Sequence, residues 1–414
     1  MGNRDHIPDP ERGWTMYLRS ARREYERSQT RAAGLYPHYS ENGRWVLLDV
    51  GALSHWEKDG YEHGNWTAGF WFGVMWLVSI GGADREVGEC AMSRLGELSS
   101  RADDYTTHDL GFLFYPALSL PERLGLLSME QAAPALEAAR MLTRRFNDRG
   151  RFIQAFGPVA EKRSAGTSTI DTMMNLPLLW WAYEVTGEPR FLQVGREHAR
   201  TTARTLIRPN GSAVHLALFD PHDGAFLQES TLQGASPSSA WTRGQAWAVC
   251  GFAWAYAVAP EPEFLTVAER AADYFATQFD DSQLPPWDFA DSSPEAPRDA
   301  SALAAMALGY LILEAVHPDA HKRTSYGAQA RRFLSLTGPA INDEETTEGI
   351  LLRSSYSVPT GRGVDGATAW GDFYLGLALS VARGTFPIDK LIGSRLYGAP
   401  VASSAERRNE RRST

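Results

Sequence analysis

One pattern recurs along this chain and limits its fold more than any single motif does. It is an aromatic- and glycine-rich apolar segment, a turn, and then an amphipathic segment with helical spacing. The first copy, Asn65-Trp66-Thr67-Ala68-Gly69-Phe70-Trp71-Phe72-Gly73-Val74-Met75-Trp76-Leu77, is apolar nearly all round, as a helix enclosed by others is. Gly81-Gly82 stops it, and a more polar helix follows through Val87, Cys90, Leu95 and Leu98. Further copies pair 108–120 with 128–146, 169–185 with 188–206, 243–258 with 263–279, and 299–316 with 323–336, while 370–382 opens a sixth. Turn signals such as Thr186-Gly187-Glu188-Pro189 and Ala259-Pro260-Glu261-Pro262 separate the halves. About six helical hairpins in series predict an all-α fold, a closed six-hairpin toroid with the apolar helices inside and the amphipathic ones outside. An open solenoid fits the irregular, loop-rich connections less well.

The chain is read as one domain over 1–395, followed by a disordered tail over 396–414 that is charged and lacks large apolar residues from Ser403 onward. Ahead of the repeats, Gly13 to Arg31 reads as an amphipathic helix. Leu35 to Ser54 reads as loop, with a short strand at Trp45-Val46-Leu47-Leu48.

A net charge of −9 argues against general nucleic-acid binding, which wants a basic surface, but leaves room for an anionic small substrate met by local Arg or His. The first residues hold no apolar leader, and no uninterrupted apolar run reaches membrane-spanning length. A cytoplasmic protein without a membrane partner is expected. Cys90 and Cys250 lie far apart, make no metal-ligand spacing and read as free thiols.

Two acidic side chains interrupt apolar segments. Asp171 lies in Ser168-Thr169-Ile170-Asp171-Thr172-Met173-Met174-Asn175-Leu176, and Asp109 in Thr107-His108-Asp109-Leu110-Gly111-Phe112. Asp171, with Ser168 and Thr169 just upstream, could simply cap a helix. Together the two acids supply what acid/base chemistry on a sugar needs, because a carboxylate is costly to bury ionised. The motif Trp241-Thr242-Arg243-Gly244-Gln245-Ala246-Trp247 offers two indoles for stacking on sugar rings and a guanidinium for a carboxylate. Trp66 opens another inner helix in the same manner, and His215 and Gln233 share a long polar loop. His6, His317 and His321 read as surface residues. No zinc, calcium or serine-nucleophile motif is present, so neither a metal nor a cofactor is expected.

Taken in order, the blocks around Asn65-Trp66, His108-Asp109, Ile170-Asp171, Trp241-x-Arg243-Gly244-Gln245, Arg298-Asp299-x-Ser301 and Trp370-Gly371-Asp372 resemble glycoside hydrolase family 88, the unsaturated glucuronyl hydrolases, over roughly residues 14 to 390. The resemblance implies an (α/α)6 barrel. Its implied substrates are lyase-generated oligosaccharides, glycosaminoglycan-type, that end in a 4,5-unsaturated uronic acid. It also implies hydration of the C4=C5 vinyl ether, with Asp171 as general acid and then base and Asp109 as its ionised partner. Trp66, His108, His215, Gln233, Trp241, Arg243 and Trp247 are implied to line the pocket, with Arg243 facing the uronate carboxylate on charge grounds. Three departures flank the pocket. Phe156 stands where a tryptophan is usual, the loop 233–239 lacks an acid, and Gly366 follows Asp365 where Glu is common. The alternatives are an unsaturated rhamnogalacturonyl hydrolase acting on pectin fragments, and a non-catalytic sugar-binding protein on the same toroid. A sugar epimerase is more distant.

Overall fold

A computed structural model describes residues 10–58 and 60–393. The tail expected over 396–414, and His6, lie outside the described residues. In chain order the helices are α1 (Pro10–Ser28), α2 (Ala68–Gly81), α3 (Arg85–Arg94), α4 (Leu110–Phe114), α5 (Leu120–Arg123), α6 (Ala133–Arg144), α7 (Leu176–Thr186), α8 (Pro189–Thr205), α9 (Thr242–Val258), α10 (Pro262–Gln278), α11 (Ala300–Val316), α12 (Ala320–Thr337), α13 (Ala369–Ala382) and α14 (Ile388–Ile392).

The inner ring closes. Helix α2 packs on α4, α4 on α7, α7 on α9, α9 on α11, α11 on α13, and α13 back on α2. Around it lie α3, α6, α8, α10 and α12, each against the inner helix that precedes it. The sixth outer position is taken by α1, which packs on α13 and α2. The N-terminal amphipathic helix thus completes the pair that the sequence pattern left half built. The expected (α/α)6 barrel is the observed one. No helix among the described residues is long and apolar enough to cross a membrane.

Hydrophobic pattern explains the layering. In α9 every residue but Tyr256 is buried, so it must be covered on all sides. In α8 most of the buried residues, among them Phe191, Val194, Gly195, His198, Ala199 and Thr202, follow one helical stripe, which fits an outer helix. Helix ends follow local chemistry. The Asp84 carboxylate accepts from Val87 N–H at the start of α3, and Asp319 accepts from His321 and Lys322 N–H at the start of α12. Gly187 closes α7 at φ 71°, and Pro189 begins α8.

Three expectations change. The inner segment from His108 is not one helix: a wide π-helical turn, Tyr115–Ser119, separates α4 from α5, with Pro116 unable to donate to the helix ladder. The segment from Thr169 begins as a short strand (Thr167–Thr169) and a 3-10 turn (Ile170–Met174), and α7 starts only at Leu176. Pro177 removes the N–H that would tie α7 back to this turn. Asp171 therefore sits on a turn at the mouth of the barrel and not on a helix wall. Leu35 to Ser54 is a hairpin, β1 (Leu35–Glu41) against β2 (Arg44–Asp49), joined by Asn42 at φ 49° and Gly43 at φ 72°. That Asn-Gly pair is a strong hairpin signal, and it was masked by Pro37, which the structure accommodates at a register shift. His317 is also corrected: it is buried, with Nε2 2.9 Å from Glu269 Oε1.

Candidate active site

The segments at the N-terminal ends of the inner helices line one polar-aromatic pocket, open to solvent. Trp66 precedes α2, His108 and Asp109 precede α4, Asp171 precedes α7, and Trp241 and Arg243 open α9. All nine residues singled out in the sequence line this pocket: Trp66, His108, Asp109, Asp171, His215, Gln233, Trp241, Arg243 and Trp247. His63, Phe112 and Phe156 complete the lining. His63 was missed because it stands at the end of the short strand Tyr61–Glu62, where no periodicity marks it. Its closeness to the Asn65-Trp66 block was the available signal.

Backbone pairing brings the two acids together. Thr107 bridges Phe156, and His108 N–H donates to Ala155 C=O at 3.1 Å. On the other side, the strand Thr167–Thr169 pairs with the strand Leu216–Phe219, and Ile170 N–H donates to His215 C=O at 3.0 Å. Asn175 locks the two segments. Its Oδ1 accepts from Phe112 N–H at 2.9 Å, and a Cβ on Gly111 would lie 2.4 Å from the Asn175 Cα, so only glycine lets them approach. Buried Arg145 donates to the carbonyls of Gln154, Ala155 and Gly157 and fixes the strand that presents Phe156.

One oxygen of each carboxyl group and one ring nitrogen of His108 lie within 4.8 Å of one another. The two acids are not equivalent. Burial pushes both pKa values up. Against that, Asp109 accepts a hydrogen bond from Thr107 Oγ1 at 2.8 Å and is pulled back down by His63, the Asn175 amide and Arg145. Asp171 gains less relief. After burial its chief influences are His108, which lowers its pKa, and the neighbouring Asp109 carboxylate, which raises it, and its Oδ1 is buried without a hydrogen-bond partner. A single proton on this pair belongs on Asp171. The trio of His108, Asp109 and Asp171 has the spacing to hold a small cation, which would compete with that proton.

The histidines are neutral near pH 7. Burial brings His108 down to about 4 and His215 to about 3. Nδ1 of His215 accepts from Leu232 N–H at 2.9 Å, which leaves its proton on Nε2. Trp66 stacks on Trp370 with centroids 5.0 Å apart, so one of its faces is already covered.

Arg243 lies in the wall, but both of its terminal nitrogens are engaged. Its Nη1 pairs with buried Asp299 and donates to Ser355 C=O. Its Nη2 donates to Gln233 Oε1 at 2.7 Å and to Tyr356 C=O at 2.8 Å. Its guanidinium stacks over Trp241 at 4.3 Å. This geometry does not present the free two-pronged face expected for a substrate carboxylate. Instead it fixes the Gln233 amide with its oxygen held, leaving the Nε2 hydrogens as donors. Gly366, where a larger residue is common, has no room for one: a Cβ would fall 2.5 Å from Ser40 C=O.

Residues 112–281 match Glycosyl Hydrolase Family 88. The chain is 33% identical over 358 residues to the unsaturated glucuronyl hydrolase of Bacillus sp. (strain GL1), covering 84% of this chain and 91% of that protein. It is 33% identical over 323 residues to the unsaturated chondroitin disaccharide hydrolase of Streptococcus pyogenes serotype M1, covering 76% and 80%. The fold superposes on the crystal structure of the Bacillus sp. GL1 enzyme, described as responsible for the degradation of glycosaminoglycan, with a TM-score of 0.81 at 30% identity, over 90% of this chain and 97% of that one.

Proposed function

The chain belongs to Glycosyl Hydrolase Family 88, and from that premise we propose that it is an unsaturated glucuronyl hydrolase. It releases a 4,5-unsaturated uronic acid from the non-reducing end of lyase-generated, glycosaminoglycan-type oligosaccharides. One observation carries this reading: a buried acid pair in which Asp171 holds an unpartnered oxygen while Asp109 is held by donors. Hydration of a vinyl ether needs a proton donor and a group that steadies positive charge.

In the proposed sequence Asp171 gives its proton to C4, and positive charge develops on C5 and the ring oxygen beside ionised Asp109. Water adds to C5 and its proton returns to Asp171, leaving a hemiketal. The bond between C5 and the ring oxygen then breaks to give a C5 ketone, and the hemiacetal left at C1 expels the hydroxyl of the leaving sugar. No carboxylate attacks the anomeric carbon, so the spacing rules of ordinary glycosidases do not apply.

Two features suit an anionic sugar despite the acidic chain. The inner helices turn their N-terminal ends, with their partial positive charge, toward the pocket. The Gln233 amide, oriented by Arg243, supplies donors for the uronate carboxylate. Trp241 and Trp247 supply apolar surface for the ring.

The test is loss of the unsaturated chromophore's absorbance on mixing the protein with unsaturated disaccharides from chondroitin, hyaluronan, heparin and pectin. Loss with a glycosaminoglycan-derived member is expected. A folded protein that consumes none of them, or only the pectin-derived one, refutes the proposal.

A further inference from the structure

His108 connects the two acids, and a residue on the same turn as Asp171 decides how. The imidazole is 1% exposed. Its Nε2 lies 3.3 Å from Asp109 Oδ1, and its Nδ1 lies 2.7 Å from Oγ1 of fully buried Thr172. A neutral imidazole has one N–H, and its place follows from what each nitrogen faces. With the proton on Nδ1, the Nε2 lone pair would point at a carboxylate oxygen. The Thr172 hydroxyl would then have to donate elsewhere, and its other described hydroxyl neighbour, Thr169 Oγ1, is 3.4 Å away. With the proton on Nε2, an N–H and not a lone pair faces the Asp109 carboxylate, and the Thr172 hydroxyl donates to Nδ1.

We propose that Thr172 is a positioning residue: its hydroxyl fixes His108 as the Nε2–H tautomer and so keeps an N–H, not a lone pair, turned toward the Asp109 carboxylate. Thr172 follows Asp171 directly on the 3-10 turn, so one short element carries both the acid and the hydroxyl that faces His108. The charged and titratable groups around this imidazole are Asp109, Asp171, Arg145, His63, His198 and His215. None of these six side chains is hydrogen-bonded to Nδ1 among the described contacts, so Thr172 sets that end of the ring. The kinetic consequence rests on the proposed hydrolase activity, whereas the tautomer does not.

The experiment pairs Thr172→Val, which removes the hydroxyl with little change of shape, with Thr172→Ser, which retains it. The tautomer of His108 is read from imidazole nitrogen NMR shifts of the full chain, assigned against His108→Gln. Turnover is read on an unsaturated disaccharide. The wild type is expected to show Nε2–H. Thr172→Val is expected to lose that preference and to drop kcat about ten-fold, the worth of one buried hydrogen bond, with little change in KM. Thr172→Ser should restore both. A wild-type Nδ1–H tautomer overturns the inference, and so does a Thr172→Val protein that keeps Nε2–H. Equal loss of kcat in both variants also overturns it, since that would reflect packing. A wild type with Nε2–H but no turnover of any unsaturated disaccharide supports the tautomer assignment and refutes the proposed function.

Discussion

Asp109→Asn tests the electrostatics of the acid pair most directly. If Asp171 acts as the proton donor, activity is present while it is protonated and is lost as pH rises through its pKa. The negative charge on Asp109 raises that pKa, so its removal must move the alkaline limb of the pH profile to lower pH. The carboxyl oxygens lie no more than 4.8 Å apart. At 4.8 Å and an effective dielectric constant of about 20, two unit charges repel by about 3.5 kcal/mol, and by more at any shorter separation, so the shift falls on the measurable side of zero and to lower pH. The asparagine oxygen can still accept from Thr107, so local geometry is expected to persist, as a melting curve would verify. The assay is kcat/KM for chromophore loss across pH. Where turnover falls too low, the Asp171 carboxyl is titrated by carbon NMR instead. A limb or titration that stays in place, or moves to higher pH, refutes the assignment of Asp171 as the group whose proton Asp109 holds in place.

Asp171→Asn should lower kcat by about 10²–10⁴-fold with the fold retained. Because burial raises this carboxyl's folded-state pKa above its unfolded value, the stability linked to it is present at low pH and is lost as pH rises through the folded pKa. The variant should therefore melt above the wild type at pH 7, and the gap should close in acid; equal melting temperatures at both would contradict the burial argument. Arg243→Met should destabilise by roughly 3–5 kcal/mol in urea denaturation, because it strands Asp299 in the interior. Near-wild-type stability would show that Arg243 is not the clamp described above. Gln233→Leu should raise KM by roughly 10–100-fold, as expected for a lost hydrogen bond to a charged group, and should raise it far less for a substrate whose uronate is esterified. Equal effects on both substrates would remove Gln233 from carboxylate recognition.

Periodicity carried most of the fold. Helices that are apolar all round, alternating with helices apolar along one stripe, admit few arrangements in water, and the toroid follows from covering the first kind with the second. The polar blocks were legible too, because Asp109, Asp171 and Arg243 interrupt apolar surroundings in which charge is expensive. The resemblance then gave those blocks a chemistry. Local signals were weaker where they conflicted: Pro37 obscured the Asn42-Gly43 hairpin, and Pro177 marked a late helix start that the apolar run through Leu176 concealed.

The sequence by itself thus determined which faces must be hidden and which side chains are too polar to hide without partners, since both depend on residue type and spacing alone. Only the tertiary structure decided how the ring closes, because α1 reaches α13 across more than 300 residues of chain. It supplied the physical reason why the two acids differ, since a carboxyl's pKa depends on burial and on nearby donors: Thr107 on the same segment, with Asn175 and Arg145 from others, relieve Asp109 but leave the Asp171 Oδ1 bare. It also changed the meaning of Arg243. As a residue type it offers a fork for a carboxylate, but the carbonyls of Ser355 and Tyr356 and the buried Asp299 reach that fork first. Charge is written in the sequence, whereas the partner that meets it is fixed by distances that exist only after folding.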